Sequence, residues 1–331
     1  MNTIEQANKI FTENWGKEVY YGRCIFLSWY CERGTCKFCF RSTIHHKVRH
    51  AKTAKRSIGS ILVEAVLAKK LGWNIEFLTG GYGIYPFEEL IEIIKNVNAI
   101  IGRKVWVNLG AFTKEQLEQL KPYVEGICAS IETVEEELHN YLCPDKPIQP
   151  YSEMLKTAKE MGFKTSIAII IGLGEKNTEL LHKFIEEHQL DRITFYALKP
   201  VRGTIFENKE GPKSEYYADW IAKTRIAFPK LEIIAGTTAR RYKEAELLFK
   251  TGANAITKFP ATKLFGTEQA QVVEEGAKKA GRIFKGTLTK LPDIDWDKEI
   301  DTLDMDPKLK EQLKEKLRQY LNSMENNIKN K

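Results

Sequence analysis

The sequence predicts an α/β fold, a (β/α)8 barrel of the TIM type. The first observation is length, because 331 residues are enough for one parallel barrel. The second is that short apolar segments alternate with segments of helical periodicity along most of the chain. Because β-α-β connections are right-handed and eight such units close on themselves, this alternation favours a barrel over an open sheet.

Eight segments have the apolar or aromatic character of buried parallel strands. They are 24–30, 75–79, 105–109, 126–131, 165–171, 192–198, 231–235 and 253–258. Helical spacing follows or precedes them at 57–71, 87–101, 114–120, 151–161, 179–188, 214–227 and 239–249. Residues 1–20 predict a polar leading helix and a link. We therefore expect residues 1–292 to form the barrel with its N-terminal helix.

The last part of the chain, 293–331, changes character. It is acidic at first and then has helical spacing over 307–324. We expect it to form a C-terminal helical extension that caps the barrel.

Composition is that of an ordinary globular protein, with 43% hydrophobic and 29% charged residues. No segment approaches the roughly 18 consecutive apolar residues of a membrane helix, and the N-terminus lacks the apolar centre of a signal peptide. The sequence therefore predicts a cytoplasmic protein without membrane association. Its six cysteines do not suggest disulfides, which belong mainly to small secreted chains.

The net charge of +7 is modest, but basic residues cluster in the stretch 41–56, which has no acid. The cations of this stretch are Arg41, Lys47, Arg49, Lys52, Lys55 and Arg56. Two interpretations stay open, a solvated loop with a helix start, or a docking patch for an acidic partner or a phosphate. Nucleic acid is disfavoured as a partner, because the charge does not extend over a whole domain.

Three cysteines, Cys31, Cys36 and Cys39, follow the first predicted strand with four and two residues between them. Closely spaced cysteine thiolates bind iron–sulfur clusters, and three of them leave a cube one ligand short. The fourth iron is then open to a small chelating molecule. The alternative is a zinc site completed by His45 or His46.

Further candidate residues follow other strands, at the barrel end where active sites form. Gly80 and Gly81, after the second strand, permit close approach of a ligand to the backbone. Alternation in the fourth strand puts Cys128, Ser130 and Glu132 on one face. The fifth strand runs into an apolar, glycine-containing segment suited to the face of a purine. That segment contains Ile170, Gly172 and Gly174.

Together these segments resemble the radical SAM superfamily, and within it the biotin synthase group. The resemblance covers about 24–281 and includes the aromatic Phe38 before the last motif cysteine, although the usual first gap is three residues. It implies a [4Fe–4S] cluster on the three catalytic cysteines and S-adenosylmethionine as cofactor. It also implies reductive cleavage to a 5′-deoxyadenosyl radical that removes hydrogen from an unactivated carbon.

The resemblance assigns roles to the other segments. A Gly-Gly-Glu of the family, here with Tyr82 in place of the acid, would hold the methionine amino group. Glu132 would contact the ribose or the amino group. The implied cofactor-binding residues are Phe38, Gly80, Gly81, Tyr82, Ser130, Glu132, Ile170, Gly172 and Gly174.

The remaining cysteines, Cys24, Cys128 and Cys143, could bind a second iron–sulfur cluster, contact substrate, or only pack in the core. Cys24 precedes Cys31 by seven residues, and at about 3.3 Å per residue it should lie near the barrel floor. Cys143 should lie near the top, so all three are poorly placed to share one cluster. Ser166 and Glu232 stand where biotin synthase has a cysteine and an arginine, which argues against biotin synthase activity itself.

Two enzymatic functions follow from the resemblance. One is sulfur insertion into an octanoyl chain, as in two-component lipoyl synthases, with a second radical SAM subunit. The alternative is biosynthesis of an [FeFe]- or [Fe]-hydrogenase cofactor, or a pyrrolysine-type mutase, without a second cluster. Both imply a small-molecule or carrier-bound substrate, a ferredoxin or flavodoxin as electron donor, and an anaerobic or reducing compartment. A third interpretation, from a different class, is a structural zinc protein that binds RNA.

Overall fold

The chain folds into a closed barrel of parallel strands, as the alternating pattern predicts. The computed structural model describes residues 2–48 and 51–329, with Ala51 and Lys52 described by backbone alone. The eight barrel strands are β1 Glu18–Phe26, β2 Asn74–Thr79, β3 Val105–Asn108, β4 Val124–Glu132, β5 Lys164–Ile171, β6 Arg192–Ala197, β7 Glu232–Gly236 and β8 Ala255–Thr257. They pair in sequence order, and β1 closes the barrel by pairing with both β2 and β8.

The first strand differs from its predicted bounds, since it begins six residues earlier than 24 and ends at Phe26 rather than 30. Its lower part also pairs with a ninth parallel strand, β9 Ile283–Lys285. The sequence did not indicate where this strand begins, because Glu18 is exposed at the edge of the barrel and gives no apolar signal. Beyond Phe26 the chain leaves the ladder, and Ser28 forms an isolated bridge with Lys55.

Helices cover the outside of the barrel. They are α1 Thr3–Trp15, α2 Phe40–Ile44, α3 Ile58–Lys70, α4 Phe87–Ile101, α5 Lys114–Leu120, α6 Glu136–Leu142, α7 Gln149–Glu160, α8 Glu179–Glu187, α9 Ser214–Ala227, α10 Ala245–Lys250, α11 Glu268–Lys279, α12 Trp296–Asp301 and α13 Pro307–Lys329. The predicted helix over 239–249 is shorter, because a 3-10 turn at Tyr242–Glu244 precedes it. Four of these helices, α2, α6, α11 and α12, were not predicted.

The long C-terminal helix α13 packs on the barrel beside α3. Leu313, Leu317 and Leu321 are buried on it, and the Arg56 guanidinium donates to the Tyr320 hydroxyl at 3.2 Å. Gly59 of α3 faces the backbone of α13, where an added Cβ would lie 3.3 Å from a carbonyl oxygen. This packing is what a helical cap requires, and the boundary at residue 293 stays a prediction.

Two small clusters of buried side chains define the interior and the top of the barrel. Inside it lie Cys24, Phe77, Trp106, Cys128 and Ala168. At the top, Cys36 and Cys39 pack against a second cluster, which consists of Phe38, Leu142, Cys143, Leu173, Leu198 and Phe206. None of the helices in the described part of the chain has the length and apolar character needed to cross a bilayer.

Candidate active site

A cavity of about 240 Å³ opens at the carboxyl ends of the strands and is lined by the cysteine loop. The last residues of most strands reach it, as the (β/α)8 architecture leads one to expect. Of the predicted site residues, the cavity is lined by Cys31, Cys36, Phe38, Cys39, Gly80, Gly81, Tyr82, Ser130, Glu132 and Ile170. The structure thus brings together predicted residues from four separate parts of the chain.

Close backbone contacts hold the cysteine loop against the turn after β2. The Glu32 amide donates to the Tyr82 carbonyl at 3.0 Å, and the Tyr82 amide donates to Sγ of Cys31 at 3.4 Å. The glycine turn therefore supports the cysteine loop as well as lining the cavity.

Gly81 allows these two loops to touch. A Cβ added there would lie 1.5 Å from the carbonyl oxygen of Tyr30 and 2.7 Å from Cα of Cys31. The neighbouring Gly80 is less constrained, because its Cβ would meet Oγ of Ser28 at 3.3 Å. At position 81, glycine is the only residue compatible with this close approach of the two backbones.

Cys143 belongs to the buried cluster against which Cys36 and Cys39 pack at the top of the barrel. The interaction between the Cys36 and Cys143 thiols lowers the pKa of Cys36 to about 7, and it raises the pKa of Cys143 above its usual range. Thiolate character at Cys36 is what a metal-ligating cysteine needs.

The chemistry of the donors fits an iron–sulfur cube better than a zinc ion. Within 2–48 and 51–329, no three His, Cys, Asp or Glu side chains converge on a single ion position. His45 stacks on Tyr30, with Nε2 3.0 Å from the Glu32 carbonyl oxygen and from the Tyr30 hydroxyl. Zinc needs four ligands around one point, whereas thiols spread around a cavity match a cube that bonds each to its own iron.

Glu132 ends β4 with a φ of +65°, a conformation that costs energy for a non-glycine residue and clusters at functional sites. Its carboxylate pairs with Nζ of Lys146 at 2.6 Å, and the two side chains are only 14% and 10% exposed. Burial alone lowers the pKa of Lys146, but the charge of Glu132 outweighs it and raises that pKa above its ordinary value. This ion pair thus lies beside the motif cysteines in the cavity wall.

We expect Lys146→Met to destabilise the protein by about 3 kcal/mol, because it leaves the Glu132 carboxylate buried and unpaired. Since the pKa of Lys146 is raised on folding, the pair should contribute fully below about pH 10. It should weaken only as the pH rises through the folded-state value. Urea denaturation at neutral pH measures the loss.

The control for this variant is Glu132→Gln combined with Lys146→Met. The double variant removes both charges and should recover much of the lost free energy of unfolding. Equal stability of Lys146→Met and the unmodified protein would show that the pair does not hold the end of β4 in place.

Two glycines of the predicted purine-binding segment do not line the cavity. Gly172 and Gly174 have φ values of +103° and +120°, and their amides donate to the Glu175 carboxylate at 2.6 and 3.0 Å. They shape the turn after β5, and Ile170 alone of the three faces the cavity. Their contact with a purine stays a prediction.

The other cysteines lie at two different levels, as the strand spacing predicts. Cys24 and Cys128 are buried inside the barrel, and Sγ of Cys24 lies 2.7 Å from a carboxylate oxygen of Glu76. Burial raises the pKa of both thiols above the usual range. Cys143 is at the top beside Cys36, so the three do not form one group.

The basic stretch is only partly free for a partner. Arg56 forms an ion pair with buried Glu64 at 2.7 Å, and Lys55 pairs with Glu89 at 2.5 Å. Arg49 and His50 lie outside the described residues, as does the side chain of Lys52. Arg56 thus stabilises α3 and is not part of a surface patch, a role that sequence alone does not reveal.

Several cavity residues had no signal in the sequence. Asn108 accepts a hydrogen bond from the Ser130 hydroxyl at 2.9 Å, and Lys146 pairs with the predicted Glu132. Tyr196 and Lys258 also line the cavity, as does Arg41, which the sequence indicated only as part of the basic stretch. Strand-end position could have indicated Lys258, which directly follows β8, whereas the long-range pairing of Lys146 could not have been found without the fold.

One cavity of this barrel is lined by three motif thiols, a glycine turn and the carboxylate of Glu132. This arrangement defines an enzyme that binds an iron–sulfur cube together with a small chelating cofactor. Comparison with known families agrees. Residues 27–186 match the radical SAM superfamily, and residues 194–278 match the biotin and thiamin synthesis associated domain. The chain belongs to the radical SAM superfamily, in the group that includes biotin synthase, and its cofactors are a [4Fe–4S] cluster and S-adenosylmethionine.

Individual relatives are similar over most of the chain. An uncharacterised protein of Methanocaldococcus jannaschii is 36% identical over 316 residues, which are 95% of this chain and 87% of that protein. A biotin synthase of Coxiella burnetii is 26% identical over 67% of this chain and 71% of its own. The crystal structure of HydG, a maturase of the [FeFe]-hydrogenase, shares the fold with a TM-score of 0.70 and 16% identity, covering 97% of this chain and 82% of that one.

Proposed function

We propose that this radical SAM enzyme rearranges or fragments a small-molecule substrate in cofactor biosynthesis, with one cluster and without sulfur insertion. Cys31, Cys36 and Cys39 would hold that cluster. The observation that carries the proposal is the separation of the other three cysteines. Two are buried thiols inside the barrel, and the third is buried at the top, in the cluster against which Cys36 and Cys39 pack.

The chemistry that the cofactors supply when bound is reductive cleavage of S-adenosylmethionine and removal of hydrogen by the resulting radical. The protein residues would position and shield the reactants. The glycine turn and Glu132 would orient the methionine end of the cofactor. Ile170 and Phe38, both on the cavity wall, would contact its apolar parts, and Ser130 would act with Asn108. A one-electron donor is needed, for which we propose a ferredoxin or flavodoxin.

Sulfur insertion, including the lipoyl synthase function, is the second candidate. It is favoured by the match of residues 194–278 to the biotin and thiamin synthesis associated domain. It would require a second cluster as sulfur donor. Against it, Ser166 replaces the cysteine of biotin synthase, and Glu232 replaces its arginine and pairs with Arg192 at 2.6 Å.

Iron counting separates the two candidates. The unmodified protein and a triple variant with Cys24→Ala, Cys128→Ala and Cys143→Ala are reconstituted anaerobically, and iron and sulfide are measured. About four irons in both proteins would support a single cluster. About eight irons falling to about four in the variant would favour sulfur insertion.

A further inference from the structure

The cavity has more positive charge than its own acid can balance. Its cationic side chains are Arg33, Arg41, Lys146 and Lys258, and its one carboxylate is Glu132. Glu132 is already paired with Lys146. Among the described residues, no carboxylate forms an ion pair with Arg41 or Lys258. Cations that face a cavity without a counter-charge attract an anionic ligand.

Lys258 is held in the cavity by a strained backbone. It follows β8 directly and has a φ of +64°, which is rare for a residue with a long side chain. Its Nζ lies 4.2 Å from the ring centre of Phe26 and 4.9 Å from that of Tyr196. Such conformations persist where a function depends on the resulting position of the side chain. The ammonium group is thus fixed over two aromatic rings that line the cavity.

Lys258 also lies across the barrel from the predicted cofactor residues of β4. In the ring of eight strands, β8 is opposite β4, and β4 ends at Glu132, the other strained cavity residue. The predicted cofactor contacts are on the loops after β1 and β2 and on β4 and β5. None of them is on β6 or β8, so the wall made by Tyr196 and Lys258 is left for a second ligand.

Arg41 provides a second cation beside the same aromatic ring. Its guanidinium carbon lies 5.7 Å from the ring centre of Phe26, and Nη2 donates to the Ser28 carbonyl at 3.3 Å. Its Nε is buried and has no hydrogen-bond partner among the residues that the structure describes. A buried donor without a partner is costly and marks a place where a ligand completes the hydrogen bonding.

We propose that Lys258 and Arg41 bind an oxyanion group of the substrate, a carboxylate or a phosphate, and thereby select a small anionic substrate over a neutral acyl chain. The arginine fork matches the paired oxygens of such a group, and lysine adds a point charge. This inference rests on the proposed function, because it assigns the remaining wall of the same cavity to the substrate.

Anomalous diffraction with bromide tests the site directly. Crystals of the reconstituted protein with S-adenosylmethionine are soaked in sodium bromide, for the unmodified protein, Lys258→Asn and Lys258→Arg. Asparagine tolerates the left-handed conformation, so Lys258→Asn should fold, which its melting temperature checks. We expect a bromide between Lys258 and Arg41, its loss in Lys258→Asn and its retention in Lys258→Arg.

Competition identifies the oxyanion. Displacement of bromide by acetate alone assigns the site to a carboxylate, and displacement by inorganic phosphate alone assigns it to a phosphate. No bromide at this position in the unmodified protein, or an unchanged peak in Lys258→Asn, overturns the inference.

The unmodified protein is also assayed for 5′-deoxyadenosine. Cofactor cleavage without an anion site defeats only this inference, and an anion site without cleavage defeats only the proposed function.

Discussion

Replacing any one of Cys31, Cys36 or Cys39 by alanine should abolish the formation of 5′-deoxyadenosine from S-adenosylmethionine. All three thiols line one cavity, and two thiolates are not enough to retain a cube from which one protein ligand is already missing. The assay is chromatography of anaerobic reaction mixtures with dithionite as reductant. Iron content, measured on the same samples, should fall together with activity.

The matched control is Cys128→Ala. Cys128 is buried inside the barrel, where the loss of one sulfur costs stability of about 1 kcal/mol but removes no proposed ligand. We expect its iron content and its 5′-deoxyadenosine formation to match those of the unmodified protein. Retained product in any of the three motif variants would show that the cluster is bound elsewhere.

The second large effect is expected for Gly81→Ala, which should weaken retention of the cluster without touching a cysteine. The new methyl group would overlap the Tyr30 carbonyl oxygen and crowd Cα of Cys31. Because both contacts are backbone atoms, the cysteine loop itself must move. A local cost of about 3 kcal/mol corresponds to roughly 100-fold weaker retention. Iron remaining after incubation with a chelator measures this effect.

Gly80→Ala serves as the neighbouring control. Its methyl group would meet the end of the Ser28 side chain at 3.3 Å, which a small movement relieves. We therefore expect Gly80→Ala to keep iron nearly as well as the unmodified protein. Equal iron retention in both glycine variants would contradict the role of Gly81 in positioning Cys31.

The elements that the sequence predicts best are those whose bounds are determined by their own residues. Helix α5 begins with a capping box formed by Thr113 and Gln116, and α4 ends at Gly102 in the left-handed conformation, so their bounds are local properties. Helix α11 was missed because its buried side is made of small residues. Gly276 on that side lets α10 approach closely, with an added Cβ 2.8 Å from a backbone nitrogen.

The site residues also fall into two groups, those that a local sequence pattern indicates and those that only the fold brings together. The cysteine spacing and the glycine turn are visible in the sequence because a cluster needs thiols and close backbones need glycine. The pairing of Glu132 with Lys146 depends on how the loop after β4 folds back. The positive φ of Lys258 and the unpaired Nε of Arg41 follow from contacts between distant segments. No local pattern encodes them, so they required the three-dimensional structure.

The central claim is that three cysteines hold a cube and leave one iron for S-adenosylmethionine. Its most direct test is Mössbauer spectroscopy of the protein reconstituted anaerobically with ⁵⁷Fe. The spectra are recorded with and without S-adenosylmethionine, beside iron, sulfide and zinc analysis. We predict about four irons per chain and a change in the signal of one of them when the cofactor is added. One zinc without iron, or an iron spectrum that the cofactor leaves unchanged, would contradict the assignment of Cys31, Cys36 and Cys39.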